Sequence, residues 1–260
     1  VRPQLLQKFL IGICLLLICC TVNGQQTNAT DEPFEVLKAK AEKGDAEAQY
    51  KLGLNYLTGE GVPQSYDEGI KWSRKSGNQG NQYAQFNLAL SYEQGLGVPQ
   101  DYAEAAKWYR NAADQGNPSA QCNLGNLHDK GHGVPQDYGE AVKWYRKAAE
   151  QGNADAQHNL GKYYRVGIGV TQNELQSYIW YSLSAAQGHK DAAYWRDVVA
   201  AKLSRPEIIE GQRRAASFVP HVESANADNA TPTTPQPTPQ PSSPSFTGSV
   251  FFRRCDPLHI

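Results

Sequence analysis

His128 and His132 stand four residues apart with Asp129 beside the first. On one helix that spacing puts two imidazoles on one face, which is how paired histidines hold zinc. Gly131 falls between them and breaks the helix, however. His128 also occupies a place where related segments of this chain carry Tyr, so a core or edge histidine is the favoured reading. Cys122 and Cys255 are too far apart for a disulfide framework or a thiolate metal site, which need close sets. A single bridge between them stays open in an oxidising compartment. Trp108 and Tyr109 adjoin and offer a flat carbohydrate platform, but they recur on an apolar stripe, which assigns them to packing. The chain has no Gly-x-Ser-x-Gly, no His-Glu-x-x-His and no phosphate loop. No catalytic residue, metal site or cofactor is expected.

The elements that position these residues are set by a repeat. Gly-Val-Pro-Gln begins at 61, 97 and 133 and Gly-Val-Thr-Gln at 169, a step of 36 residues. Trp72, Trp108, Trp144 and Trp180 keep the same step. A fixed period of this size marks stacked units that cannot bury their apolar faces alone. Each unit reads as two helices. The first is capped by Asp45, Asn81, Asn117 or Asn153, which are good N-caps. It carries an Ala/Leu/aromatic stripe four residues apart, as in Ala84, Leu88 and Tyr92. A small residue beside each Leu (Gly53, Ala89, Gly125, Gly161) points to close approach of the partner helix. Paired glycines such as Gly95 and Gly97 then stop the helix. The second helix opens with a capping-box pattern, Ser65 to Glu68, Asp101 to Glu104, Asp137 to Glu140 and Asn173 to Gln176. Its apolar stripe is Ala105, Trp108, Tyr109, Ala112 and Ala113.

The pattern G-(N/D)-x-x-A-Q-x-x-L-G-x-x-Y, then G-x-G-V-x-Q-(D)-Y-x-E-A-x-K-W-Y-R-x-A-A-x-Q, resembles the Sel-one-like repeat, a relative of the tetratricopeptide repeat. Full copies are read at 41–76, 77–112, 113–148 and 149–184, with a degenerate cap over 185–218 inside a solenoid of 34–218. The residues make the chain all-α. The resemblance implies a right-handed α-solenoid of stacked helix-turn-helix units that serves as a scaffold or adaptor. Some cysteine-rich members of the family are linked to β-lactam hydrolysis. Those carry paired Cys in each repeat, whereas only Cys122 lies in the repeats here.

In tetratricopeptide-like stacks the first helices line the concave face and extended peptides lie across them. The matching register here is Lys51, Asn87, Asn123 and Asn159. Side-chain amides can bond a peptide backbone in either direction. Neighbouring registers change from copy to copy: Tyr50, Phe86, Cys122 and His158; Leu54, Leu90, Asn126 and Lys162. The candidate protein-binding set is therefore Tyr50, Lys51, Phe86, Asn87, Asn123, Asn126, His158, Asn159 and Lys162. Asparagines that simply face solvent or cap locally, and relaxed selection on a surface, also account for these positions.

Charge and termini bound the rest. The 260 residues carry a net charge of −1, which argues against a phosphate-driven nucleic-acid binder. Residues 1–24 read as an export signal: Arg2 and Lys8, an apolar run over 9–20, then Val22 and Gly24 before a cleavage point. A retained anchor at 9–20 is the alternative. Residues 25–33 read as a short linker and 219–260 as a disordered tail rich in Pro, Thr, Gln and Ser. The expectation is an exported repeat scaffold, in a bacterial periplasm or secreted, that binds a protein or peptide. An exported hydrolase of cell-wall or β-lactam substrates is the runner-up.

Overall fold

A computed structural model describes residues 33–221. The expected leader at 1–24 and the Pro-rich stretch from 229 lie outside the described residues. Among the described residues there are eleven helices and no strand. A lead helix, α1 (Phe34–Glu42), precedes the repeats. The first helices are α2 (Ala46–Thr58), α4 (Gln82–Gln94), α6 (Pro118–Lys130) and α8 (Ala154–Val166). They alternate with second helices α3 (Tyr66–Asn78), α5 (Tyr102–Asp114), α7 (Tyr138–Glu150) and α9 (Glu174–Ala186). The degenerate last unit is α10 (Lys190–Ala200) and α11 (Arg205–Ala216). From α1 to α10 each helix packs on its sequence neighbours, and α11 packs back on α9, so the first helices form one layer of an α-solenoid and the second helices the other.

The helix ends follow from local chemistry. Asp45, Asn81, Asn117 and Asn153 each accept a backbone N–H from the first turn of their helix, and each such cap contributes about 1 kcal/mol. In the last unit His189 takes the N-cap position and makes no side-chain cap bond. At the other end Gly59, Gly95, Gly131 and Gly167 adopt the left-handed conformation. The loop Gln beyond them then ties the two helices together. Gln136 donates to the Asp129 carbonyl at 2.8 Å and to the Tyr138 hydroxyl at 2.9 Å. Gln64, Gln100 and Gln172 make the same carbonyl bond in their own loops.

The capping boxes of the second helices are only half made. Ser65, Asp101, Asp137 and Asn173 each accept the N–H three residues on. The reciprocal bond is not formed in α3, α5, α7 or α9, because the N-cap N–H is already committed. Ser65, Asp101, Asp137 and Asn173 donate theirs to the carbonyls of Tyr56, Tyr92, His128 and Tyr164. Glu68, Glu104 and Glu140 turn instead to Lys71, Lys107 and Lys143 one turn on. The complete box is made at Ser204 and Glu207, ahead of α11.

The small residues beside the stripe Leu mark helix contact. A Cβ on Gly125 would come within 2.8 Å of the Tyr145 ring, and one on Gly161 within 2.9 Å of the Tyr181 ring. Tyr109, Tyr145 and Tyr181 are fully buried on these surfaces. Trp72 and Trp144 are buried, whereas Trp108 and Trp180 are only half-buried against the same apolar layer.

Candidate functional site

The frame that carries the candidate residues is pinned by a ladder of glutamines. Gln49, Gln85, Gln121 and Gln157, on the first helices, are all buried. Each donates to the carbonyl eight residues earlier, at the end of the preceding helix: Ala41, Gly77, Ala113 and Ala149, at 3.0 to 3.1 Å. Each also accepts from a second glutamine thirty residues on: Gln79, Gln115, Gln151 or Gln187, at 2.7 to 2.8 Å. One side chain thus uses both ends of its amide to join successive second helices. A buried amide satisfied at both ends stabilises, while one left unpaired costs about 1–3 kcal/mol. Sequence reasoning missed this role; the signal was present as two glutamine registers of the same period.

On that frame the candidate residues fall into three groups. At the first two units Tyr50 is half-buried, with its ring 5.7 Å from that of Tyr83 on α4. Burial pushes the Tyr50 phenol up to about 12, with the Glu47 carboxylate and Tyr83 adding to it. Tyr83 itself is 51% exposed and was not among the candidates. Lys51 is exposed and lies 3.8 Å from Glu47.

The middle units hold a polar network. Phe86 and Asn87 are buried, with Phe86 tilted against Tyr109 at 5.8 Å. The Tyr109 hydroxyl donates to Glu93 at 2.5 Å and accepts from the Asn123 amide at 2.9 Å. Asn126 accepts from the Tyr145 hydroxyl at 2.7 Å and from Asn159 at 3.4 Å. The Tyr163 hydroxyl makes a short bond to Asp129. Burial first, and that carboxylate second, hold the Tyr163 phenol well above its usual range. So the asparagine register is buried on the first-helix layer, where Asn123 engages the Tyr109 hydroxyl and Asn159 engages Asn126 of the neighbouring register. Its residues are less than a tenth exposed.

The last group sits at the junction with the degenerate unit. His158 stacks on His189 with ring centres 4.3 Å apart and tilts against Tyr181 at 5.5 Å. His189 lies 3.7 Å from Asp155. Lys162 is half-buried nearby in sequence. The structure brings Asn123, Asn126, His158 and Asn159 among the tyrosines of one layer boundary, and leaves Tyr50 and Lys51 with Tyr83 at the other end of the stack.

The histidine pair considered for zinc is split. His128 is buried, with its Nε2 3.2 Å from Arg110, and His132 is exposed and packs on the Tyr102 ring at 4.6 Å. Among the described residues no three metal-ligating side chains cluster. Cys122 is buried in the core, and Cys255 lies outside the described residues. What the arrangement offers chemically is donors, acceptors and aromatic rings on a rigid frame: the exposed Lys51 and Tyr83 at one end, and the buried amide–phenol network of the later units.

Comparison with known proteins agrees with this frame. A family model described as the Sel1 repeat matches residues 46–81, 82–117, 118–153 and 154–189, together more than half of the chain. A Sel1 repeat protein from Oxalobacter formigenes is 36% identical with a TM-score of 0.60; the match covers 64% of this chain and 48% of that one. This chain thus spans about half the length of that relative. A protective antigen of uropathogenic Escherichia coli, displaying an SLR fold, is 30% identical with a TM-score of 0.41, over 72% of this chain and 56% of that one. An immunity protein from Pseudomonas aeruginosa is 22% identical with a TM-score of 0.44, over 82% and 85%. No curated protein matches the chain.

Proposed function

Because the chain belongs to the Sel1 repeat family, whose scaffold fold is typical of protein-interaction modules, we propose that it is an exported, non-enzymatic scaffold that holds a protein or peptide partner on the concave face of its first helices. The observation that carries this reading is a contrast within the one chain. The frame repeats: caps, ladder glutamines and loop glutamines recur in all four units with the same bonds. The registers at Tyr50, Phe86, Cys122 and His158, and at Leu54, Leu90, Asn126 and Lys162, differ in every unit or nearly so. Phe86, Leu90, Cys122, Asn126 and His158 are buried, so this variation reaches the surface at Tyr50, Leu54 and Lys162, where a constant frame with changing contacts suits an extended ligand.

In this reading Lys51, Tyr50 and Tyr83 make the entry contacts, with a cation and two aromatic rings for a partner's carboxylate and apolar side chains. Export to the periplasm or the medium rests on the charged front and apolar run of residues 1–24. If residues 9–20 are retained, the scaffold is held at a membrane instead. No nucleic-acid partner is proposed for a chain of net charge −1.

The test is affinity capture with the full chain from native extract, followed by reconstitution with the purified partner and assay against a panel of cell-wall and β-lactam substrates. A stoichiometric complex without turnover supports the proposal. Turnover without a stable complex contradicts it.

A further inference from the structure

After α11 the chain turns at Ser217 and runs back over the second-helix layer. Three contacts fix residues 218–221 there. The Phe218 ring stands edge-on to Trp180 of α9, with centroids 6.0 Å apart. Pro220 lies against Gly152, close enough that a Cβ built on that glycine would meet its Cγ at 3.4 Å. The His221 N–H donates to the Glu150 carbonyl at 2.8 Å. Glu150 is the last residue of α7, where the helix leaves carbonyls without an intrahelical partner. Val219, between the two anchors, is 81% exposed.

We propose that this seam, floored by Trp180 and Gly152 and ended by the Glu150 carbonyl, is a docking site for an extended aromatic-x-Pro-x segment. Residues 218–221 are its resident occupant, and a segment of the same pattern supplied by another molecule takes their place. Each element of the pattern has its own cause. The indole takes an aromatic ring in T-shaped contact. The pyrrolidine lies in contact range of Gly152, and its fixed φ holds the segment extended without internal hydrogen bonds. The following residue must keep its N–H, so a second proline there is excluded. The x position faces solvent and is free. The seam lies on the second helices and is independent of the first-helix face.

The test uses the full chain and a fluorescein-labelled peptide of residues 216–223, Ala-Ser-Phe-Val-Pro-His-Val-Glu, read by anisotropy. A tethered occupant competes at an effective concentration in the millimolar range. The F218A/P220A chain, with its strap released, is therefore expected to bind the peptide at least about tenfold more tightly than wild type. Replacing the peptide's Phe with Ala, which cannot unfold the protein, is expected to abolish binding, as is Trp180→Leu in the released chain. Equal binding by wild type and the released chain, or undiminished binding of the Phe-less peptide, overturns the proposal. Amide exchange on the unmodified chain gives a second readout. His221 is expected to be protected, and exchange there at the rate of a free peptide also overturns the proposal.

Discussion

The Gln151 amide donates to the buried amide oxygen of Gln121 at 2.8 Å, while Gln121 donates to the Ala113 carbonyl at 3.1 Å. Two side chains thirty residues apart therefore close the gap between the ends of α5 and α7. The same bond recurs in each of the four units. Repeat-to-repeat geometry is thus fixed by amide bonds at the helix ends in addition to apolar packing.

Gln121→Leu leaves the Ala113 carbonyl and the Gln151 amide without their partner. The expected loss is about 1–3 kcal/mol in urea unfolding. A double-mutant cycle with Gln151→Ala is expected to return a coupling of about 0.5–1.5 kcal/mol. Strictly additive single mutants contradict the ladder.

Gly61 and Gly133 hold equivalent loop positions with φ of +72° and +69°. A side chain at Gly61 meets open space, but one at Gly133 would run into the Tyr102 backbone of the preceding unit. Gly61→Ala is expected to cost about 1–2 kcal/mol for the left-handed conformation alone. Gly133→Ala is expected to cost at least about 1 kcal/mol more, from overpacking. Thermal unfolding of the two variants decides it; equal losses contradict the close stacking of the loop on α5.

Burial holds the phenols of Tyr50, Tyr163 and Tyr181 above their usual range, with Tyr50 at about 12. A raised folded value means that the unfolded chain loses these protons first. The associated stability is therefore intact below pH 10 and falls as pH rises from about 10 through 12. Phenolate absorbance from the buried set is expected to appear only above pH 10, together with loss of helix. A single phase near pH 10 with helices intact contradicts this.

The period, the helix ends and the two-helix unit were legible in the sequence because each depends on residues close along the chain. Asn117 caps a helix that starts at the next residue, and Gly131 ends it. The half-made capping boxes were not legible. The bond that displaces them, from the Asp137 N–H to the His128 carbonyl, exists only once two helices fold together. The asparagine register was visible as a recurrence, but the Tyr109 partner of Asn123, like the Tyr145 partner of Asn126 in the next register, comes from a neighbouring helix. Tyr83 was overlooked because its equivalents, Glu47, Ser119 and Asp155, share neither size nor charge with it. The docked segment at 218–221 falls where sequence reading ends the solenoid and begins a tail, and its anchors, Trp180 and Glu150, lie in two earlier helices.

The central claim is that the first-helix face carries the partner. Titration calorimetry with the captured partner tests it through two double variants of similar surface character. Lys51→Glu with Tyr83→Ala changes the exposed end of that face. Lys107→Glu with Lys143→Glu changes the outward side of the second helices, where both lysines are exposed. Loss of one polar and one aromatic contact is expected to weaken binding about tenfold or more, with the helical spectrum and melting temperature unchanged. The lysine pair is expected to bind within about twofold of wild type, a difference below 0.5 kcal/mol. Wild-type affinity in the Lys51/Tyr83 variant together with lost binding in the Lys107/Lys143 variant would contradict the account and move the binding surface to the other layer.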